Sequence, residues 1–466
     1  MKRREFLSTT AGAAAGATLL STPLAAAVKA KNKKKLAMVG TGVRGIGFWG
    51  KRVVDNYSDM VEFVGLSDIN PGRLELAKKH MGVSCPVYTD FDQMMKETKP
   101  ELVIVTTVDS THHEFIIKAM EYGADVLSEK PMTTDEVKSQ AILDAEKRTG
   151  RKCTIGFNYR YGTLFTAIKE QLVKKPAGEI TSVDFHWYLN VYHGADYFRR
   201  WHGERDKGGT LWVHKATHHF DLLNWFIDSD PVEVVAYGAL EHYGKNNPFR
   251  GANCRNCAYT DKCRFYWDIT KDKHAMDLYV NNEKYDGYIR DNCLWRKNID
   301  IFDKMSAQIR YANNVVVNYS LTTYSPYEGW RIAFNGKDGR LESWEDIPWR
   351  RQEQINQAQL HAAEMNQSGN TNVRYDEIFL MKNFDPKYEI LKVEAARGGH
   401  GGGDSRLQDK IFRDPAMADP FKHAAGTRDG AMSCLIGVAA RKSIEEQRPV
   451  NIEELTDIKP HPTRGV

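Results

Sequence analysis

The sequence predicts an α/β chain whose first folded part is a doubly wound parallel sheet. Three observations predict it. Strand-like and helix-like segments alternate from Lys35 to Cys153; a Gly40-x-Gly42-x-x-Gly45 turn follows the first strand and opens a helix; and the second strand ends on an acid, Asp68.

The elements run in order: "KLAMVG", then the helical "TGVRGIGFWGKRVVDNY", the strand "VEFVGLSD", the helix "NPGRLELAKKHM", the strand "ELVIVTT", the helix "THHEFIIKAMEYG", the strand "ADVLSEKP" and the helix "TTDEVKSQAILDAEKR". In that setting the glycines take on specific jobs. Gly40 allows the tight turn, Gly42 lets the backbone approach a pyrophosphate at the helix N-terminus, and Gly45 allows close packing. A carboxylate at Asp68 would accept ribose hydroxyls and repel a 2′-phosphate, so NAD is expected over NADP. A glycine-rich turn without nucleotide is the weaker reading. Lys130, in "SEKP", ends a strand near where a nicotinamide would lie.

Residues 1–27, from "MKRREFLS" to Ala25-Ala26-Ala27, carry a twin arginine, an Ala/Gly-rich apolar run and an A-x-A cleavage signal. We expect an export peptide of the twin-arginine kind and a periplasmic destination, with export after folding. No segment has the ~20 strongly apolar residues that an integral membrane span needs. The +4 formal charge on 466 residues gives no case for nucleic acid as partner. The 11% aromatic content with 10 Trp suits a carbohydrate ligand without proving one.

In the second half, "GGTLWVHKATHHFDLLNW" places His214, Lys215, His218, His219 and Asp221 within eight residues. Helical steps put His214, His218, Asp221 and Trp225 on one stripe, with Phe220, Leu223 and Ile227 opposite. Histidines four apart also have the spacing of a helical metal pair, but nothing between residues 180 and 225 forms a second ligand pair of known spacing, His186, His193 and His202 standing singly, so metal catalysis ranks behind redox chemistry. Upstream, Tyr192, His193, Tyr197, Arg199, Arg200, Trp201 and His202 supply rings and donors for a saccharide-binding loop. Cys254, Cys257, Cys263 and Cys293 could form a structural zinc site or, in an oxidising compartment, disulfides. The other three cysteines, Cys85, Cys153 and Cys434, are expected in the core. "RGGHGGGDSRLQDKIF", with His400 and Asp404, is a glycine-rich loop able to approach a ligand. "WRIAFNGKDGRLE" reads as a hairpin turning at Gly336–Gly339.

"GTGVRG", "SDINPGR", His112 in "TTVDSTHHEF", "SEKPMT", "GFNYRY" and "GGTLWVHKATHHFD" occur in the order and spacing of the Gfo/Idh/MocA oxidoreductases, which this chain resembles over essentially its whole length after residue 27. The resemblance implies a Rossmann domain over 33–155 and a second α/β domain over 156–466. That second domain is expected to hold a large open, mostly antiparallel sheet able to pair subunits, with the cysteines in an insertion at about 250–295. It also implies nicotinamide-dependent redox chemistry on sugars or cyclitols. By resemblance, Gly40, Gly42, Arg44, Gly45, Asp68, Thr107, His112, Glu129, Lys130 and Asn158 bind the cofactor.

His218 and Asp221 match the family's catalytic histidine and following acid. His214 stands where an Asp is usual, with Lys215 next to it, which leaves the acid–base roles of Lys130, His214, Lys215 and His218 open. Either His218 or Lys130 could take the substrate's hydroxyl proton. Tyr192, His193, Arg199, Arg200, Trp201, His202 and Asp221 are the expected substrate contacts. The "GHGG" stretch is similar to one in NAD-dependent glycosidases of the superfamily, so a redox-elimination glycosidase stands beside an exported sugar dehydrogenase with recycled NAD. A noncatalytic carbohydrate-binding protein with a relict Rossmann fold is the third reading.

Overall fold

The computed structural model describes residues 33–351, 356–365, 375–396 and 399–465. The proposed export peptide lies outside them. Among the described residues no helix is long and apolar enough to cross a membrane.

Six strands form the expected parallel sheet: β1 (Lys34–Val39), β2 (Val61–Ser67), β3 (Val87–Tyr88), β4 (Leu102–Val105), β5 (Asp125–Ser128) and β6 (Cys153–Ile155), in the order β3-β2-β1-β4-β5-β6. All of its pairings are parallel. The strand order reverses between β1 and β4, so a crevice opens above the carboxyl ends of these two strands. Buried runs such as Leu36–Val39 and Leu102–Val105 show why the sheet is covered on both faces.

The connecting helices begin and end on identifiable caps. α1 (Arg52–Tyr57) continues a π-wound stretch, Arg44–Lys51, that starts directly after the glycine turn. The Asn70 side chain accepts from Arg73 N at the start of α2 (Pro71–Met81), which Gly82 ends in the left-handed conformation. Asp90 caps α3 (Phe91–Thr98), α4 (His112–Glu121) follows β4, and Asp135 caps α5 (Glu136–Thr149), which ends on Gly150.

The second sheet has nine strands: β7 (Ile180–Asn190), β8 (Pro231–Ala239), β9 (Lys304–Tyr311), β10 (Val316–Ser325), β11 (Gly329–Gly336), β12 (Gly339–Glu345), β13 (Tyr375–Lys382), β14 (Tyr388–Glu394) and β15 (Val450–Asn451). Their order is β14-β13-β12-β11-β7-β10-β9-β8-β15, antiparallel except where β7 pairs with β10. Strict alternation in β9 and β10 buries one face and leaves the other open. The expected hairpin is present as β11 and β12, the second strand running on to Glu345.

After α6 (Thr163–Lys174), β7 leads into α7 (Val191–Arg199), whose first amides, Tyr192 N and His193 N, donate to the Asn190 side chain. The histidine-bearing helix differs from the striped single helix read from the sequence. It is split at Lys215 into α8 (Leu211–His214) and α9 (Ala216–Ile227), and every residue from Ala216 to Phe226 is buried. Apart from His218, which lines the cleft, its polar side chains are enclosed by the sheet on one side and the long α11 (Thr427–Glu446) on the other, so they look for partners inside the protein. Between them, α10 (Lys273–Leu278) belongs to the cysteine-bearing insertion, which an Asn253–Asn292 bridge closes at its base.

Candidate active site

At the glycine turn, Gly40 has φ +90°, and an added Cβ would sit 2.6 Å from the Thr106 and Thr107 backbone; at Gly45 it would sit 2.4 Å from Gly40 O. Both positions therefore require glycine. Above Gly42 the nearest atom to such a Cβ is the Tyr279 hydroxyl at 3.8 Å, which leaves a cradle over the helix N-terminus. Asp68 closes its far end: Oδ2 accepts from Thr41 N (2.7 Å) and Thr41 Oγ1 (2.9 Å), and Oδ1 from Asn70 N and Arg73 Nη2, both at 2.9 Å. A tight glycine turn at a helix N-terminus, with a carboxylate at the end of β2, fits a dinucleotide.

That cradle is one end of a continuous cleft of about 1520 Å³, whose lining reaches Lys130, His214 and His218. A drug-sized ligand fills roughly 300–1,000 Å³. The cleft has room for a dinucleotide and a second molecule.

The Glu129-Lys130-Pro131 turn is the junction between the two. Glu129 accepts from Arg44 Nε and Trp49 Nε1, both at 2.6 Å. Burial alone would raise its carboxyl; the charges of Arg44 and Lys130 outweigh this and hold it below the usual range. Lys130, half-buried at the cleft, has its pKa pushed down to about 8 by desolvation, against the opposing pull of Glu129 and Asp109. Its Nζ donates to the His214 carbonyl at 3.3 Å. His112 sets its two ring nitrogens against the Pro131 and Thr107 carbonyls, at 2.9 and 3.1 Å, and so steadies this turn as well as lining the cleft.

The histidine cluster is tied together from both domains. His214 Nδ1 lies 2.5 Å from Asp109 Oδ2. Burial raises Asp109 well above its ordinary value and lowers His214 well below its own, so desolvation disfavours the charged form of each partner. The acid expected at position 214 is thus supplied across the cleft from the Rossmann domain. His218 stacks on Tyr159 with ring centroids 4.2 Å apart, and its buried Nδ1 has no hydrogen-bond partner within the protein. Burial likewise holds its imidazole neutral. Lys215 Nζ lies 3.3 Å from Tyr159 OH and 5.0 Å over the Trp187 ring. Phenol, ammonium and imidazole therefore meet at one wall of the cleft.

His193, Arg200, Trp201 and His202 line the cleft as expected. Trp201 stacks on His202 at 3.6 Å, and His202 in turn meets the His214 ring at 4.0 Å. Three expected substrate contacts lie elsewhere. Tyr192 is 45% exposed and outside the lining. Arg199 points away, with Nη1 donating to Cys254 Sγ at 2.9 Å and Nη2 to Phe265 O. Asp221 is a core ion pair: it accepts from Arg160 Nη2 at 2.5 Å and Nε at 2.8 Å, with Asp429 as the second acid on that guanidinium. A carboxylate on an all-buried helix needs a buried cation, and Arg160 provides one.

The cysteine expectation is also corrected. Cys254, Cys257, Cys263 and Cys293 are free thiols that line a small pocket together with Phe249, Phe265 and Trp295. Among the described residues no three His, Cys, Asp or Glu side chains are arranged to hold a metal. The glycine-rich loop does reach the cleft: Gly399, His400 and Gly401 line it, Asp404 Oδ1 accepts from Asn158 Nδ2 at 2.6 Å, and His400 Nδ1 lies 3.1 Å from the same carboxylate.

Two family models match this arrangement: "Oxidoreductase family, NAD-binding Rossmann fold" over residues 34–157, and "Oxidoreductase family, C-terminal alpha/beta domain" over 169–452. The chain belongs to the Gfo/Idh/MocA oxidoreductases. It is similar to the putative oxidoreductase YteT of Bacillus subtilis, at 34% identity over 91% of this chain and 98% of that protein. It is 25% identical over 42% of its length to an inositol 2-dehydrogenase/D-chiro-inositol 3-dehydrogenase of Lactiplantibacillus plantarum, matching 54% of that enzyme. The WlbA dehydrogenase of Bordetella pertussis, solved in complex with NADH and UDP-GlcNAcA, shares the fold with a TM-score of 0.58 at 16% identity, covering 90% of this chain and 98% of its own. As a Gfo/Idh/MocA protein the chain is an NAD(P)-dependent oxidoreductase.

Sequence reasoning missed Asp109, Tyr159 and Glu328. Asp109 lay in the quoted "TTVDSTHHEF" turn, and Tyr159 in "GFNYRY" beside the expected Asn158, so both had a positional signal. Glu328 had none. It sits between β10 and β11, accepts from Asn190 N at 2.8 Å, faces His193 Nδ1 at 3.1 Å, and burial pushes its carboxyl up to about 7.

Proposed function

We propose that this Gfo/Idh/MocA member is an NAD-dependent dehydrogenase of a sugar or glycoside, acting at a carbinol carbon. The observation that carries the reading is that a half-buried lysine of lowered pKa, Lys130, and the imidazole of His218 line the same cleft as the Asp68-terminated glycine cradle. The carboxylate of Asp68 supports NAD over NADP, since a 2′-phosphate there would meet like charge. With its pyrophosphate held over the glycine turn and its ribose at Asp68, the dinucleotide would supply hydride acceptance or donation at its nicotinamide.

The chain's own residues handle the proton and the geometry. Lys130, as ammonium, hydrogen-bonds the substrate's hydroxyl oxygen, and the His218 imidazole accepts its proton. The Asp109–His214 pair fixes the carbonyl that orients Lys130, and Lys215 holds the Tyr159 phenol against the His218 ring. Arg200, Trp201, His202 and His193 offer rings and donors for the rest of the sugar. Relatives that act on inositols and one bound to a UDP-sugar acid support a polyol substrate. The Arg3-Arg4 leader with its apolar run supports export by the twin-arginine route to the periplasm.

One observation favours a second reading. The "GHGG" loop brings His400 to within 5.2 Å of the Tyr159 ring, a further acid–base pair such as transient oxidation followed by elimination of an aglycone would use. Incubating the purified chain with NAD and a panel of sugars and glycosides, with product mass and released aglycone recorded together, tests both. A product two hydrogens lighter with matching NADH absorbance is the expected result. Aglycone release without net oxidation establishes the glycosidase, and no nucleotide-dependent change in either removes both.

A further inference from the structure

The cysteine-bearing insertion does more than decorate the second domain: it lies across the nucleotide cradle. Tyr279, just after α10, places its hydroxyl 3.2 Å from Val43 N, where it accepts that amide's hydrogen bond. Val43 is the residue that leads into the helix after the glycine turn, so its N–H is one of the donors that would face a pyrophosphate. Three residues on, Asn282 O accepts from Asn70 Nδ2 at 2.9 Å, at the N-cap of α2. Asp286 accepts from Arg73 Nη1 at 2.6 Å while Arg73 Nη2 reaches Asp68, forming a carboxylate–guanidinium–carboxylate chain from the insertion to the ribose-binding acid. Both members of the Arg73–Asp286 pair are largely buried, with 11% and 9% of their side chains exposed. Gly287, Tyr288 and Ile289 continue along the same cleft.

We propose that this segment, Tyr279 to Ile289, is a clasp that retains the dinucleotide as a resident cofactor. Tyr279 is placed to donate to the pyrophosphate, and the Asp286–Arg73–Asp68 chain closes the cleft over the adenosine ribose. The inference rests on the NAD reading above and goes beyond it, since the glycine turn and Asp68 alone would serve an exchanging nucleotide equally well. The clasp adds a set of ties from a separate part of the sequence to Val43, Asn70 and Arg73 around the cradle. The ties also explain why Gly72 is a glycine: a Cβ there would lie 1.9 Å from Asn282 Oδ1.

The test is nucleotide release from the full chain. The protein is loaded with radiolabelled NAD, desalted, and chased with excess unlabelled NAD, while circular dichroism follows the melting of the unloaded form. Wild type is expected to keep its label through desalting. Tyr279→Phe and Asp286→Asn should each release it roughly tenfold faster, the loss of one hydrogen bond to a charged group. Gly72→Ala should do the same by displacing Asn282, although alanine favours the helix itself. Unchanged release in all three variants overturns the clasp while leaving NAD binding intact. Slower release from Tyr279→Phe overturns it too, by making Tyr279 a competitor for the phosphate site. A wild type that takes up no NAD removes the underlying NAD reading instead.

Discussion

Replacing Asp221 by Asn separates two roles that the sequence could not. Family spacing places Asp221 beside the catalytic histidine, yet the structure makes it the partner of Arg160, with side chains 1% and 2% exposed. Asparagine keeps the shape and removes the charge, so one of the contacts at 2.5 and 2.8 Å is lost or turns an N–H toward a guanidinium N–H. Breaking a buried pair costs about 3–5 kcal/mol. Asp429, 2.9 Å from Arg160 Nη2, still balances the guanidinium, which places the loss near the lower end, about 3 kcal/mol. In urea, with a slope of about 3 kcal/mol per M, the unfolding midpoint falls by roughly 1 M. Under native conditions KM for the sugar stays at its wild-type value. The apolar double variant Arg160→Met/Asp221→Leu should lose less than the two single changes summed, since it leaves no unpaired charge at these two positions and Asp429 keeps Arg464 at 2.5 Å. An unchanged midpoint together with a raised KM would refute the structural role and return Asp221 to the substrate site.

The remaining predictions concern the cleft. His218→Gln should lower kcat by about 10²–10⁴-fold, the usual worth of a positioned general base, with NAD content after desalting unchanged. If Lys130 works as an ammonium, kcat/KM falls as pH rises through about 8, because its folded pKa lies below the ordinary 10.5 and the charge is lost there; a profile that instead rises through pH 8 would make Lys130 the base. Lys130→Met removes that limb along with turnover and leaves nucleotide bound. Gly40→Ala places a Cβ 2.6 Å from the Thr106 backbone at φ +90° and should abolish NAD uptake measured by equilibrium dialysis; retained uptake would show that the turn can shift.

The Rossmann half was legible because its signals are local. Strand, glycine turn and helix follow one another in the chain, and Asp68 and Lys130 each end a strand of the same sheet, so periodicity and spacing place them. The α8–α9 helix was legible in its residues but not in its surroundings. A stripe of His214, His218 and Asp221 reads as one functional face only if that face meets one environment. Once α9 is enclosed all round, His218 meets the cleft, His219 hydrogen-bonds Tyr319 OH at 2.7 Å on the sheet side, and Asp221 meets Arg160. The cysteines show the same limit: close spacing allowed a metal or a bridge, whereas in the structure all four are free thiols and, among the described residues, no three possible ligands come together.

By itself the sequence determined the fold class, the nucleotide turn and its acid, and the register that puts Lys130 at the mouth of the cleft. Those features follow from backbone conformations and side-chain periods that each short segment carries alone. Only the tertiary structure decided the partners: Asp109 with His214 across 105 residues, Arg160 with Asp221 across 61, and Tyr279 with Val43 across 236. Such pairings depend on which buried charge or open amide the folded chain brings within about 3 Å, and no local pattern encodes that distance.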